Sequence, residues 1–392
     1  VHESPERHAL RKTAAALAAA EIAPRVERAD REHDGHLPPD EHRAVVAAAA
    51  GAGLLSLLLP EEHGGGGGTV GDLVVAVEEL GAADAGTAAG LALTATVPTL
   101  VAVAGTPDQR ERWLGWLARA QAPVLGGALN EPGRAGSDLF DPGPGTALTT
   151  RAGRDGEEYV LTGSKAQWVT NAGIADAYIV FARTGDGPPA TSTTAFWVPA
   201  DAPGLSVGTR SDLLGLRSGF HAELHLDGVR VPARDRIGDE GAALGLLAVA
   251  TPAMPVGLAA VFVGVARAAH ELALDRAGTR TSWGRPLREH QAVALQLADG
   301  AVELRQARLL VAEAAEAIDT GADPAELALL VPAAKERAVR TAIANAERAV
   351  RILGAEGVTR GSGAEKLLRD AWTGWSCDFT GDLLRLGIAA GL

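Results

Sequence analysis

The sequence predicts a mainly helical protein interrupted by one β-domain. Three changes of texture carry that expectation. Residues 1–122 are Ala-rich with helical spacing, residues 123–236 are short alternating runs between turn residues, and residues 237–392 return to long helical periodicity. The expected architecture is an N-terminal helical domain, a middle antiparallel β-barrel or sandwich, and a C-terminal bundle of four or five helices.

In the first zone "RKTAAALAAAEIAPRVERADR" consists of helix formers with one charged face. "DEHRAVVAAAAGAGLLSLLLP", "VGDLVVAVEELGAAD" and "GLALTATVPTLVAVAG" follow as further helices, and Thr106 or Pro107 opens the next, "TPDQRERWLGWLARA". The run "HGGGGG", His63 to Gly68, reads as a loop, since it lacks the Lys-Ser/Thr ending of a phosphate-binding loop. The second zone holds "EEYVLTGSKAQWV", "DAYIVFART", "TSTTAFWVPA" and "HAELHLDGVRVP", in which Val, Thr and aromatic residues alternate with polar ones. The third opens on a charge-free stretch from Gly241 to Ala266, long enough to span a bilayer. Its Pro252, Pro255 and high Ala and Gly content instead read as a loop followed by a buried core helix. Long helical patterns then run through "EHQAVALQLADGAVELRQARLLVAEAAEAIDTG" and "DPAELALLVPAAKERAVRTAIANAERAVRILG", the latter stopped by Gly354.

Composition narrows the functions. Of 392 residues 47% are hydrophobic, too many for a disordered chain and enough for several buried cores. A net charge of −13 with no basic stripe is the wrong footprint for nucleic acid. The single cysteine, Cys377, excludes an internal disulfide framework and a cysteine-rich zinc site, and a reducing cytoplasm fits. The opening "VHESPERHALRK" is charged throughout and carries no apolar signal region, so no targeting or membrane segment is expected. The basic residues are nearly all Arg; the lysines are Lys12, Lys165, Lys335 and Lys366.

Local motifs go further. "ALNEPGRAGSD" (128–138) resembles the Ala-Leu-Thr-Glu-Pro-Gly-x-Gly-Ser-Asp signature of the acyl-CoA dehydrogenase family, and "GSKAQWVTNAG" resembles its Gly-x-Lys-x-Trp-Ile-Thr-Asn segment. "LDGVRVPARDRIGDEG", "RTSWGRPLREHQAV", "RILGAEG" and "EKLLRDA" are similar to its later motifs, in the same order along the whole chain. The resemblance implies an FAD-binding oxidoreductase, a homotetramer or homodimer in which a second subunit closes over the adenosine end, and an electron-transferring flavoprotein as electron acceptor. Residues at the matching positions suit that cofactor. Trp168 offers a face to stack on the isoalloxazine and Thr170 a hydroxyl for its polar edge. Leu129, Asn130 and Ser137 would meet the other side. Arg280 has the planar fork that suits a pyrophosphate. Trp283, Gln291, Arg351, Gly354 and Thr380 match positions near the adenosine and pyrophosphate. No metal site is implied.

The departures are as informative. Family members carry Arg-Asp-Ala, six residues, then Glu-Gly-Thr, and that Glu takes the α-proton of an acyl thioester. Here Arg369-Asp370-Ala371 is followed at the same spacing by Asp378-Phe379-Thr380. Asp378 therefore stands at the base position, one methylene short, and Phe379 adds bulk where Gly is usual. A nearly buried carboxylate beside Trp375 and Phe379 is expected to have a raised pKa. Other subfamilies place the base on the first bundle helix, but Met254 and Pro255 stand there. Asn130 replaces a Thr, Arg134 lengthens its loop, Arg351 replaces a Gln, and Asp382 stands where Gln or Glu is common. Cys377 reads as a packing residue.

Three functions stay open at this level: dehydrogenation of an acyl thioester on CoA or an acyl carrier protein, with a non-standard acyl group in specialised metabolism; a flavin-dependent monooxygenase or oxidase on the same fold; and a non-catalytic partner subunit in a mixed assembly.

Overall fold

The computed structural model describes residues 4–133 and 148–390. Its first layer is helical: α1 (Pro5–Leu17), α2 (Ala23–Glu32), α3 (Pro39–Gly51), α4 (Val70–Ala83), α5 (Ala85–Thr96), α6 (Thr99–Ala104), and the short α7 (Pro107–Gln109) and α8 (Gly115–Arg119). Side-chain caps explain where several begin. Thr69 and Asp72 form a reciprocal capping box on α4, and Thr106 and Gln109 form one on α7. Asp84 caps α5 through the Thr87 amide at 2.8 Å. The structure shortens one expected helix: after Gly51 the chain leaves α3, and Leu54 to Pro60 run as turns. Leu54, Leu55 and Leu59 are nonetheless buried, so apolar spacing there reflects a packed loop.

The middle zone is an eight-stranded sheet. Its strands are β1 (Leu125–Ala128), β2 (Arg151–Asp155), β3 (Glu158–Thr170), β4 (Ala177–Arg183), β5 (Thr193–Pro199), β6 (Leu205–Val207), β7 (His221–Pro232) and β8 (Arg236–Ile237), with a short α9 (Pro189–Ser192) before β5. The order is β6-β7-β3-β2-β4-β5-β8, with β1 added beside β4. Most pairings are antiparallel as expected, but β1 and β2 pair with β4 in parallel. Neither strand is joined to β4 by a hairpin, so nothing in the local sequence sets their direction.

The bundle follows as α10 (Ala243–Ala250), α11 (Ala253–Thr279), α12 (Gln291–Asp319), α13 (Pro324–Leu353), α14 (Ala364–Gly374) and α15 (Gly381–Ala390); a small hairpin of β9 (Thr281–Ser282) and β10 (Arg285–Pro286) joins α11 to α12. The stretch expected as a loop before α11 is itself helical as α10. The apolar length of α11 is spent inside the protein, with 78% of its most apolar stretch buried. It crosses α4 at very close range. A Cβ on Gly264 would lie 2.4 Å from the Glu78 carbonyl oxygen, and one on Gly81 would lie 2.5 Å from that of Val261. Only glycine allows two backbones so near.

A buried ionic cluster joins all three zones. Lys366 on α14 donates to Asp84 Oδ1 and to Asp370 Oδ2, each at 2.6 Å. The other oxygen of Asp370 accepts the Leu216 amide at 2.7 Å, and Asp84 Oδ2 accepts the Ser218 hydroxyl. Burial alone would lower the Lys366 pKa, but the two carboxylates outweigh it and raise it. Removing one member strands buried charge. Lys366→Met is expected to lower the unfolding free energy by about 3–5 kcal/mol in denaturant titrations. A loss below about 1 kcal/mol, the range of an exposed pair, would show that the cluster is not a junction of the fold.

Candidate active site

The chain leaving β1 runs beside the second half of β3. The Ala166 amide donates to the Asn130 carbonyl at 2.9 Å. Beneath them a fully buried ion pair fixes both chains. Lys165 Nζ donates to Glu131 Oε1 at 2.9 Å and to the Leu129 carbonyl at 3.2 Å, and neither side chain of the pair is exposed. Glu131 also accepts the Thr149 amide and hydroxyl, each at 2.5 Å, and the Thr150 amide at 2.9 Å. Burial would raise the Glu131 pKa, but the Lys165 ammonium and these hydrogen bonds hold it down at about 2. Burial pushes Lys165 down to about 8 against the pull of Glu131.

On this platform Trp168 stands 44% exposed, while Val169 beside it is buried. The β3–β7 register slips between Lys165 and Val169, and such a bulge re-aims the side chains within it. Thr170 is half-buried and pairs with His221. Asn130 Oδ1 is buried and has no hydrogen-bond partner among the described residues. An exposed aromatic face on β3 and an unsatisfied acceptor on the segment bonded to that strand would suit a planar heteroaromatic group with an N–H on its rim. The FAD isoalloxazine is such a group, and Trp168, Asn130, Thr170 and Leu129 are the residues that would hold it. Ser137 and Arg134 lie outside the described residues.

A second group gathers at one end of the bundle. Arg280 caps the C-terminus of α11, Trp283 tips the β9–β10 hairpin with φ +49° and 95% exposure, and Gln291 opens α12. Arg351 lies in the last turn of α13, before Gly354 at φ +64°. An ion pair of Arg276 with Glu356 at 2.6 Å ties the α11 end to the turn after α13. Arg280 is exposed and has no ion pair among the described residues, as suits a cation kept for a phosphate. No hydrogen bond or ion pair among the described residues joins this group to the Trp168 group.

Asp378 lies on a third site, the turn between α14 and α15. Its φ is +56°, and it is exposed in the lone chain, contrary to the nearly buried position expected. Crowding by the protein nevertheless raises its carboxyl pKa, against the opposing Lys335 ammonium. Thr380 serves α15, its hydroxyl accepting the Leu383 amide at 3.4 Å. Asp382 faces Arg385 at 3.8 Å. Cys377 donates weakly to the Thr373 carbonyl at 3.4 Å, and burial pushes its thiol up to about 12, as expected of a packing cysteine. Met254 and Pro255 lie in the first turn of α11.

Sequence reasoning placed Lys165 and Glu131 inside motifs without seeing them as a pair, and it gave Lys335 no role. The available signal was the scarcity of lysine: three of the four, Lys165, Lys335 and Lys366, make buried contacts.

The chain is similar to known proteins over most of its length. The family models for the acyl-CoA dehydrogenase N-terminal, middle and C-terminal domains match residues 4–121, 126–229 and 254–388. The chain is 34% identical to cyclohex-1-ene-1-carbonyl-CoA dehydrogenase of Geobacter metallireducens, over 76% of each chain. It is 35% identical to the mitochondrial short-chain specific acyl-CoA dehydrogenase of Bos taurus, over 74% of this chain and 67% of that one. The solved butyryl-CoA dehydrogenase of Megasphaera elsdenii superposes with a TM-score of 0.90 at 27% identity, covering 100% of this chain and 98% of that one.

The buried pair generates an acid-stability prediction. Glu131 is depressed in the fold, so its contribution is complete above its ordinary value of 4.5 and is lost as pH falls toward about 2. Unfolding free energies of the wild type should therefore drop between those limits, and Glu131→Gln should be destabilised at pH 7 with a flatter acid limb. Parallel limbs in the two proteins would remove Glu131 as the titrating group.

Proposed function

This chain belongs to the acyl-CoA dehydrogenase family of FAD-dependent oxidoreductases, and from that premise we propose that it dehydrogenates an acyl thioester with Asp378 as the base. The observation that carries the assignment of the base is the Asp378 turn itself. A carboxylate stands at the family's base position, held on a tight reverse turn, with its pKa raised by the protein around it. A raised pKa makes a carboxylate a stronger acceptor for the α-proton of a thioester. FAD, when bound, supplies the acceptor for the hydride leaving the β-carbon. The chain's own residues bind and orient: the Trp168 face, the Asn130 acceptor and the Thr170 hydroxyl at the ring, and Arg280 at the phosphates.

The acyl group is a non-standard one, of a kind met in specialised metabolism, carried on CoA or an acyl carrier protein. Support comes from the paired departure at 378–379. A shorter acid and a bulkier neighbour together suit a substrate seated differently from a simple fatty acyl chain. The electron acceptor is an electron-transferring flavoprotein, and the compartment is the cytoplasm.

The assembly is a homodimer or homotetramer. Leu295, Val302 and Leu309 on α12 are exposed at seven-residue spacing, a stripe that a second helix would cover. A cofactor site completed across subunits is what the family resemblance implies, and the exposed Trp283 near Arg280 suits a surface that a second copy covers. Val302→Glu with Leu309→Glu should yield monomers by sedimentation with reduced FAD content. A monomeric wild type that retains FAD would remove the shared site.

The direct test is anaerobic mixing of the FAD-loaded protein with a panel of acyl thioesters, followed by flavin absorbance. Bleaching is expected with at least one of them, and Asp378→Asn should slow it by about 10²–10⁴-fold, the usual contribution of a general base, while FAD stays bound. No bleaching by any thioester, with oxidation of a substrate only when reduced flavin and oxygen are supplied, would turn the reading to a monooxygenase. A protein that cannot be loaded with FAD would turn it to a partner subunit.

A further inference from the structure

Lys335 lies on α13, twelve positions into a 30-residue helix, and is 1% exposed. Among the described residues its ammonium meets no carboxylate at bonding distance. Instead Nζ donates to the carbonyl oxygens of Cys377 and, at 2.6 Å, of Phe379. These are the two residues flanking Asp378. One buried cation thus grips the chain on both sides of the residue whose φ is +56°. The rest of the turn is closed independently. The Gly381 amide donates to the Trp375 carbonyl at 3.2 Å, and the Trp375 ring packs so closely that a Cβ on Gly381 would lie 2.5 Å from it.

We propose that Lys335 is a positioning residue for the reaction, clamping the 377–379 turn so that the short Asp378 side chain is held where it can meet the substrate. The proposal rests on the reading of Asp378 as the base and adds a residue to it. Aspartate tolerates the left-handed region better than most residues, but it is not the preferred conformation. Two carbonyls turned into the protein need donors, and the Lys335 ammonium is a donor to both. A lysine ammonium has three N–H groups on a flexible stem, so it can serve two adjacent carbonyls. Burial lowers the Lys335 pKa, and the Asp378 charge opposes that shift, so base and clamp favour each other's charged forms. The charged residues beside Lys335 and the turn are otherwise paired locally, Glu336 with Arg340 and Asp382 with Arg385. Position matters more for an aspartate than for a longer acid, because it has no spare methylene with which to recover reach.

The single cysteine makes the clamp measurable apart from catalysis. Cys377 supplies one of the gripped carbonyls, so the rate at which its thiol reacts with a neutral maleimide reports opening of the turn. The Lys335 charge favours the Cys377 thiolate, so losing the charge alone would slow labelling. Only opening of the turn speeds it. Lys335→Met in the FAD-loaded oligomer is therefore expected to label faster at Cys377. It should reduce flavin about 10–100-fold more slowly at saturating thioester, with KM little changed, the size of loss a displacement near 1 Å produces. Lys335→Gln, which keeps an N–H donor, should recover part of both effects, and it carries the same test if the Met variant does not fold. In an Asp378→Asn background, Lys335→Met should cost little further rate, since both changes act through one group. Unchanged labelling, or a rate loss that adds in full to that of Asp378→Asn, would falsify the positioning role. If Asp378→Asn alone leaves flavin reduction intact, the base assignment fails instead, while Cys377 labelling still decides whether the clamp exists.

Discussion

The fold depends on one buried cation. Lys366 sits between Asp84, at the junction of α4 and α5, and Asp370, one turn along its own helix. Through Asp84 it is linked to the cap of α5 and to Ser218 of the loop before β7; through Asp370 it is linked to the Leu216 amide. Leu216 has φ +57°, a costly conformation for a non-glycine residue, and its amide is held there by the hydrogen bond it donates to Asp370 Oδ1. Helical layer, sheet and bundle therefore meet at a point with no slack. An apolar core could bring the three zones together, but it would not fix their register. A cluster in which every charged atom must be satisfied does.

The same device recurs where chemistry is expected. Lys165 neutralises Glu131 where the chain leaving β1 runs beside the second half of β3, and so sets the heights of Asn130 and Trp168 relative to each other. Lys335 grips the turn that carries Asp378. In a chain whose cations are nearly all arginine, these three lysines occupy positions where a compact charge with rotatable donors is needed. The arginines are used more widely: Arg210 donates to the carbonyls of Leu37, Arg217, Ser218 and Gly219, Arg267 and Arg308 converge on Glu78, and Arg280 has no ion pair among the described residues.

The candidate site is distributed. The Trp168 group proposed for the flavin ring lies on or beside the sheet, the Arg280 group proposed for the phosphates at one end of the bundle, and Asp378 on a turn against the middle of α13. From Lys335 to Arg351 is sixteen residues of helix, about 24 Å at the standard rise. The exposed Trp283 and the apolar stripe on α12 suit a surface that is completed by another copy.

The sequence by itself determined the order helix, sheet, helix, most element positions, and the identity of the motif residues. These follow from local periodicity, from caps such as Thr69 and Thr106, and from residue types at fixed spacing. It misread Leu54 to Pro60 and the stretch before α11, because apolar runs look alike in a helix and in a packed loop. It also missed the parallel pairing of β1 and β2 with β4, because strand direction between distant segments has no local cause. Only the tertiary structure decided which charges meet. Asp84 and Lys366 are 282 residues apart, Glu131 and Lys165 are 34, and Lys335 and Cys377 are 42. Their partnerships are set by how helices and strands pack, and so is the exposure of Asp378, which a neighbouring Trp and Phe in the sequence had made look buried.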